Sequence, residues 1–191
     1  MLLSMRSVVT LLPLTMLAAF PGLAQDRPAL DVPFVPSTEQ AVRAMLDLAG
    51  VTKSDIVYDL GCGDGRIVVT AAKLYGARGV GIDIDPERIA EARANAKKEG
   101  VENLVRFELK SLFDADFREA TVVTLFLLSS VNERLKPRLL SELRPGTRVV
   151  SNTFEMGDWK PERQSTVQGA DDSAFLSKNV FLWRVPARNG K

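Results

Sequence analysis

The chain contains no histidine, and that absence removes whole classes of chemistry. No Ser-His-Asp or Cys-His relay can be built, and no metal can be held through imidazole. The single cysteine, Cys62, excludes an intramolecular disulfide and a CxxC metal or redox site. Neither sign of charge is in excess: 25 Lys+Arg against 24 Asp+Glu give a formal net charge of +1 over 191 residues. A partner held by bulk charge, nucleic acid above all, is therefore not expected. The leading apolar run, Val8 to Phe20, contains Pro13. It is shorter than the about 20 residues that cross a bilayer.

What is present is the make-up of an ordinary globular chain, with 46% hydrophobic and 26% charged residues. The length suits one domain with a sizeable core. The first 24 residues stand apart. Arg6 precedes the apolar run, and Gly22-Leu23-Ala24 puts small residues at −3 and −1 before Gln25. That is the order of a secretory signal, with export to a periplasm. The competing reading is an uncleaved membrane anchor, with Ser7 to Ala24 as a short tilted helix. Residues 25–36 hold Pro28, Pro33 and Pro36 and read as an extended linker or arm. The folded domain is expected over 37–185, with 186–191 as a tail.

Ser37-Thr38-Glu39-Gln40 resembles a capping box with Ser37 as N-cap. Val42, Met45, Leu46 and Ala49 follow at helical spacing, and Gly50 ends the helix. Strand and helix patterns then alternate. Strands are expected at Ile56–Leu60, Gly79–Asp83, Leu104–Glu108, Thr121–Leu128, Thr147–Phe154, Gln164–Val167 and Asn179–Val185. Helices are expected at Arg66–Tyr75, from Asp85-Pro86 to Gly100, and at Val131–Leu143 around Pro137. Alternation of this kind gives an α/β fold, a doubly wound, mainly parallel sheet covered on both faces. Its ligand sits beyond the carboxyl ends of the strands, where strand order reverses.

The most informative stretch is Asp59-Leu60-Gly61-Cys62-Gly63-Asp64-Gly65-Arg66, between an expected strand and an expected helix. Asp83 ends the next strand, placed to accept both hydroxyls of a ribose. Nicotinamide and S-adenosylmethionine (SAM) sites share that placement. Dinucleotide loops read G-x-G-x-x-G and seat a pyrophosphate at a helix N-terminus. Here the spacing is G-x-G-x-G, and Asp59 would repel an anion but suit an ammonium group. SAM carries an ammonium, a sulfonium and a ribose, and no phosphate.

Asp59-x-Gly61-x-Gly63-x-Gly65 followed by Asp83 resembles the first two motifs of class I SAM-dependent methyltransferases. Pro33-Phe34-Val35-Pro36-Ser37, Gly63-Asp64-Gly65-Arg66-Ile67-Val68 and Phe154…Trp159-Lys160-Pro161 resemble a narrower family. That family is the small, membrane-associated protein-lysine methyltransferases related to the ATP synthase c-subunit lysine methyltransferase. The resemblance implies a Rossmann-like methyltransferase fold, a single seven-stranded sheet with an antiparallel C-terminal strand. It implies SAM as cofactor and a protein lysine as acceptor, with a small molecule as the alternative. Asp59, Gly61, Cys62 and Gly63 would line the methionine part of the donor, in the loop that Gly65 completes. Asp83 would hold the ribose, and Ile84 would pack near the adenine. Ser111 stands where many such enzymes have an adenine-contacting acid, and the backbone of Leu112 is the other candidate. Ser37 and Thr38 would sit on an arm closing over the donor. An anchor would keep the domain with its cytosolic donor, whereas export would separate the two.

For the acceptor side, Ser129, Ser130 and Asn132 are candidate polar contacts or helix-start residues. Leu127-Leu128-Ser129-Ser130 replaces the Asn/Asp-Pro-Pro-aromatic run of base and glutamine methyltransferases. Phe34, Phe154 and Trp159 are candidates for an aromatic wall or for plain core. Asp64 and Arg66 are read as a pair or as loop-orienting residues, and Cys62 as packing rather than a nucleophile. Asp114 and Asp116 read as loop carboxylates. Lys136, Arg138, Arg144 and Arg148 read as a solvated face. Two other functional classes remain: a nicotinamide-dependent oxidoreductase and a non-catalytic SAM-binding module.

Overall fold

Alternating apolar strands and amphipathic helices fold as a two-faced sheet. A computed structural model describes residues 35–167 and 179–188. The expectations for the signal or anchor, for the arm up to Phe34 and for the last three residues of the tail lie outside the described residues. Seven strands form one sheet: β1 (Ile56–Leu60), β2 (Arg78–Asp83), β3 (Val105–Leu109), β4 (Val122–Leu125), β5 (Arg148–Asn152), β6 (Arg163–Thr166) and β7 (Asn179–Arg184). Their order is β3-β2-β1-β4-β5-β7-β6. The first five run parallel. β7 lies antiparallel to both of its neighbours. Strand order reverses between β1 and β4, so a crevice opens beyond their carboxyl ends.

The period-2 geometry of strands divides the core in two. Val57, Val122, Val150, Val180 and Leu182 pack on one face with residues of α1 (Glu39–Ala49), α2 (Arg66–Tyr75) and α3 (Pro86–Lys98). Tyr58, Leu60, Val123, Leu125, Val149, Phe181 and Trp183 pack on the other, with Leu135 and Leu139 of α4 (Ser129–Glu142). Each fully buried Leu or Val contributes roughly 1.5–3 kcal/mol. Trp183, wholly buried, donates from its indole nitrogen to the Trp159 carbonyl at 2.6 Å.

Two local expectations are corrected. Thr38, not Ser37, caps α1: its hydroxyl accepts from Ala41 N at 3.1 Å. β4 ends at Leu125 rather than Leu128, because its partner β1 stops at Leu60, directly opposite. α3 starts as expected, with Asp85 accepting from Glu87 N at 2.8 Å and Pro86 in the first turn.

Candidate functional site

Asp59 is the fourth residue of β1, and strand parity turns it toward the face that α1, α2 and α3 cover, away from the α4 face of Tyr58 and Leu60. Thr124 of β4 lies directly opposite and donates its hydroxyl to Asp59 at 2.8 Å. Asp59 is 2% exposed, and burial, with Asp83 and Asp64 nearby, pushes its carboxyl up to about 8 despite that hydrogen bond.

Asp83, the last residue of β2, is held by backbone on both oxygens. Gly63 N donates to Oδ2 at 2.7 Å and Asp85 N to Oδ1 at 2.9 Å. Each oxygen keeps a lone pair for a ligand hydroxyl. Asp64 and Arg66 do pair, with Arg66 Nη2 at 2.6 Å and Nε at 2.9 Å from the carboxylate.

These residues wall a cleft of about 900 Å³, part of it open to solvent. Of the eleven sequence-derived site residues, eight line it: Ser37, Asp59, Gly61, Cys62, Asp83, Ile84, Ser111 and Leu112. Thr38, Gly63 and Gly65 do not. Thr38 is the helix cap. Gly63 (φ +51) serves through its N–H to Asp83. Gly65 (φ +75) lies under packed side chains, and a Cβ there would sit 2.7 Å from Phe107 and 2.8 Å from Ala92. Burial, with Asp59 and Asp83 close by, pushes the Cys62 thiol well above its ordinary range, so it packs and does not attack. Ser111 Oγ accepts from Phe113 N at 3.2 Å.

The cleft is acidic. Asp59, Asp64, Asp83 and Asp85 face it, while its two cations are already paired, Arg66 with Asp64 and Arg88 with Glu91 at 2.7 Å. Such walls disfavour a pyrophosphate and favour a cationic ligand.

Comparison with known proteins bears on the same residues. The family model described as ANTKMT methyltransferase domain matches residues 59–163. A protein-lysine N-methyltransferase of Saccharolobus islandicus is 53% identical over 155 residues, 81% of this chain and 94% of that protein. The chain belongs to this methyltransferase family. The ATP synthase c-subunit lysine N-methyltransferase of Xenopus laevis is 33% identical over 75% of the chain, which spans 63% of that relative. A crystal structure of an RNA methyltransferase from Salinibacter ruber with S-adenosyl-L-homocysteine is 49% identical. It superposes with a TM-score of 0.75, covering 82% of this chain and 97% of that one.

Around the cleft of this methyltransferase, the aromatic candidates fall in two places. Phe126, directly after β4, lines the cleft and stacks on Phe154, with ring centroids 6.2 Å apart. Trp159 instead is half-buried and packs on Trp183 at 6.1 Å, against the edge of the core. Ser129 and Ser130 open α4 as exposed first-turn residues, and neither caps it. Asn132 is buried against Ser151 and the carbonyls of Phe154 and Glu155, each 3.4 Å away, and its Oδ1 has no partner among the described residues. Asp116 pairs with Arg118 at 2.6 Å, and neither it nor Asp114 lines the cleft.

The basic residues are not one solvated face. Lys136 pairs with Asp158, and Arg148 with the buried Asp55. Arg138 fastens the loop after β3 onto α4, donating to the carbonyls of Phe113 at 2.5 Å and Ala115 at 2.9 Å and lying over the Phe117 ring at 4.7 Å. That loop carries Ser111 and Leu112. Phe126, Thr124 and Arg138 were missed by sequence reasoning. Only Phe126 had a legible signal, as the residue that follows the central strand beside Asp59.

Proposed function

We propose that the cleft holds SAM and that the enzyme passes a methyl group to the amine of a protein lysine. The observation that carries this reading is the Asp59 carboxyl, buried beside Thr124 and grouped with Asp64, Asp83 and Asp85 in a cleft whose two cations, Arg66 and Arg88, are both paired. An arriving ammonium stabilises the ionised form and supplies the missing counter-charge. Asp83 holds the ribose hydroxyls with a carboxylate already oriented by Gly63 and Asp85. Ile84, Ser111 and Leu112 form the adenine side, and Gly61 and Cys62 the methionine side. Thr38, Gly63 and Gly65 act indirectly, through the arm and the loop.

The donor's sulfonium brings a methyl group that is already activated. The chain's own task is to hold the reacting centres in line and to exclude water. A lysine amine, near pKa 10.4 in water, must arrive neutral. Phe126, Phe154 and Leu127 desolvate it, which lowers that pKa. This fits a chain with no histidine to serve as base.

The names of the Saccharolobus and Xenopus relatives support a protein lysine, whereas the Salinibacter relative, an RNA methyltransferase by name, raises RNA as a second reading. The acidic cleft and balanced charge favour the former. We further propose that residues 1–24 either direct export of the chain, with cleavage after Ala24, or stay in place as a membrane anchor. N-terminal sequencing of the membrane and soluble fractions distinguishes the two by the presence of Gln25 as first residue. Among the described residues, no helix is long and apolar enough to cross a membrane.

The transfer test uses the full chain with methyl-labelled SAM and a cell lysate split between protease and ribonuclease. Label lost to protease and recovered as methyl-lysine is the expected result. Label lost to ribonuclease establishes the RNA reading, and label in small molecules alone the small-molecule one. Donor binding without any labelling would make the protein a non-catalytic module.

A further inference from the structure

Val35, Pro36 and Ser37 form one wall of the cleft, yet they lie ahead of the first helix. Among the described residues, none of the three makes a main-chain to main-chain hydrogen bond. The polar ties on this arm reach Ser37 from two side chains. Arg66 Nη1 donates to the Ser37 carbonyl at 2.7 Å, and Asn152 Nδ2 donates to the Ser37 hydroxyl at 3.1 Å. Ser37 is 5% exposed, so the Asn152 contact is shielded from competing water, while the Arg66 contact is half-buried.

The two donors belong to opposite sides of the site. Arg66 is fixed by its fork on Asp64, which lines the same cleft. Asn152 ends β5, and its carbonyl accepts from Phe154 N at 2.7 Å across Thr153, a β-branched residue held at φ +69. Phe154 stacks on Phe126. One residue of the arm thus joins the donor loop to the turn on the acceptor side.

We propose that Arg66 and Asn152 are positioning residues that clasp the arm shut over the bound donor, and that opening this clasp governs how fast donor and spent donor leave. The inference rests on the SAM reading of the cleft. Neither residue needs to touch the reacting atoms. Each hydrogen bond to Ser37 slows opening by about tenfold, the scale of one buried hydrogen bond or one to a charged group.

The test is the dissociation rate of S-adenosylhomocysteine from the full chain, measured by stopped flow with hydrogen exchange of residues 35–41 in parallel. The variants are Ser37→Ala, Asn152→Ala, their double substitution and Arg66→Lys. Lysine keeps the positive charge in the cleft but cannot fork onto Asp64 while reaching Ser37. The expected result is release about tenfold faster in Asn152→Ala and Arg66→Lys, with loss of exchange protection in the arm. Ser37→Ala and Asn152→Ala should not add, because they remove the same hydrogen bond. KM for the donor should rise while kcat stays level or increases, a split that simple loss of structure would not produce. Folded variants with wild-type release rates overturn the clasp. A wild-type chain that takes up no S-adenosylhomocysteine overturns the donor reading itself, and the clasp with it.

Discussion

Asp59 is the residue on which the chemistry of the cleft turns. Its carboxyl is raised to about 8 against an ordinary 3.8, chiefly by burial, so between those pH values the folded, ligand-free chain holds a proton that the unfolded chain has lost. Two outcomes follow from that sign. Fold stability without ligand declines as pH rises from about 4 to about 8, because folded Asp59 resists ionisation. Asp59→Asn should remove that slope and stabilise the apo protein by roughly 1–3 kcal/mol above pH 8, read from thermal midpoints across pH. Donor affinity runs the other way. It should rise with pH up to about 8, level off above it, and become flat and weaker in Asp59→Asn, measured by calorimetry. Asp83→Ala tests the ribose assignment. Loss of a carboxylate that is pre-oriented by Gly63 and Asp85 should cut donor affinity about 100-fold. Unchanged affinity in a calorimetric titration would reject that role.

At the scale of elements, the site depends on joints between segments rather than on any one of them. The turn from β1 into α2 closes because Gly65 lets Phe107 of β3 and Ala92 of α3 approach its bare backbone. Gly65→Ala places a methyl within 2.8 Å of both, at a positive φ. It should cost about 2–4 kcal/mol, visible as a lower denaturation midpoint. α4 is joined to the loop after β3 by Arg138, through two backbone carbonyls and an aromatic face. Arg138→Met keeps much of the apolar stem and loses the donors. A stability loss of about 1–3 kcal/mol is expected, together with weaker donor binding through the displaced Ser111–Leu112 segment. Denaturant midpoints and a donor titration on the same variant check both parts. A full stability loss with wild-type affinity would separate Arg138 from the cleft.

For the molecule as a whole, the sheet order and the site share one cause. Reversal between β1 and β4 opens the crevice, and the carboxyl ends of β1 and β2 put Asp59 and Asp83 beside it. That much was legible along the chain: seven strand patterns, a glycine loop in strand–turn–helix context and an acid closing the second strand. Eight of the eleven expected site residues line the cleft because the motif is local. The rest depends on contacts that no local pattern carries. Asn152 meets Ser37 across 115 positions, and Arg138 grips carbonyls more than 20 positions earlier. The apolar run through Phe126 and Leu127 reads as strand, but those residues are covered by the cleft wall and by Gly61 instead of by a pairing partner. Above all, an acid-walled cleft should select a cationic adenosyl donor over a dinucleotide. A calorimetric titration of the full chain at pH 7 tests this, run in two buffers of different ionisation heat with SAM and with NAD. The predicted result is SAM binding with net proton release from Asp59, and no measurable uptake of NAD. NAD binding in preference to SAM, or SAM binding without proton release, would contradict it.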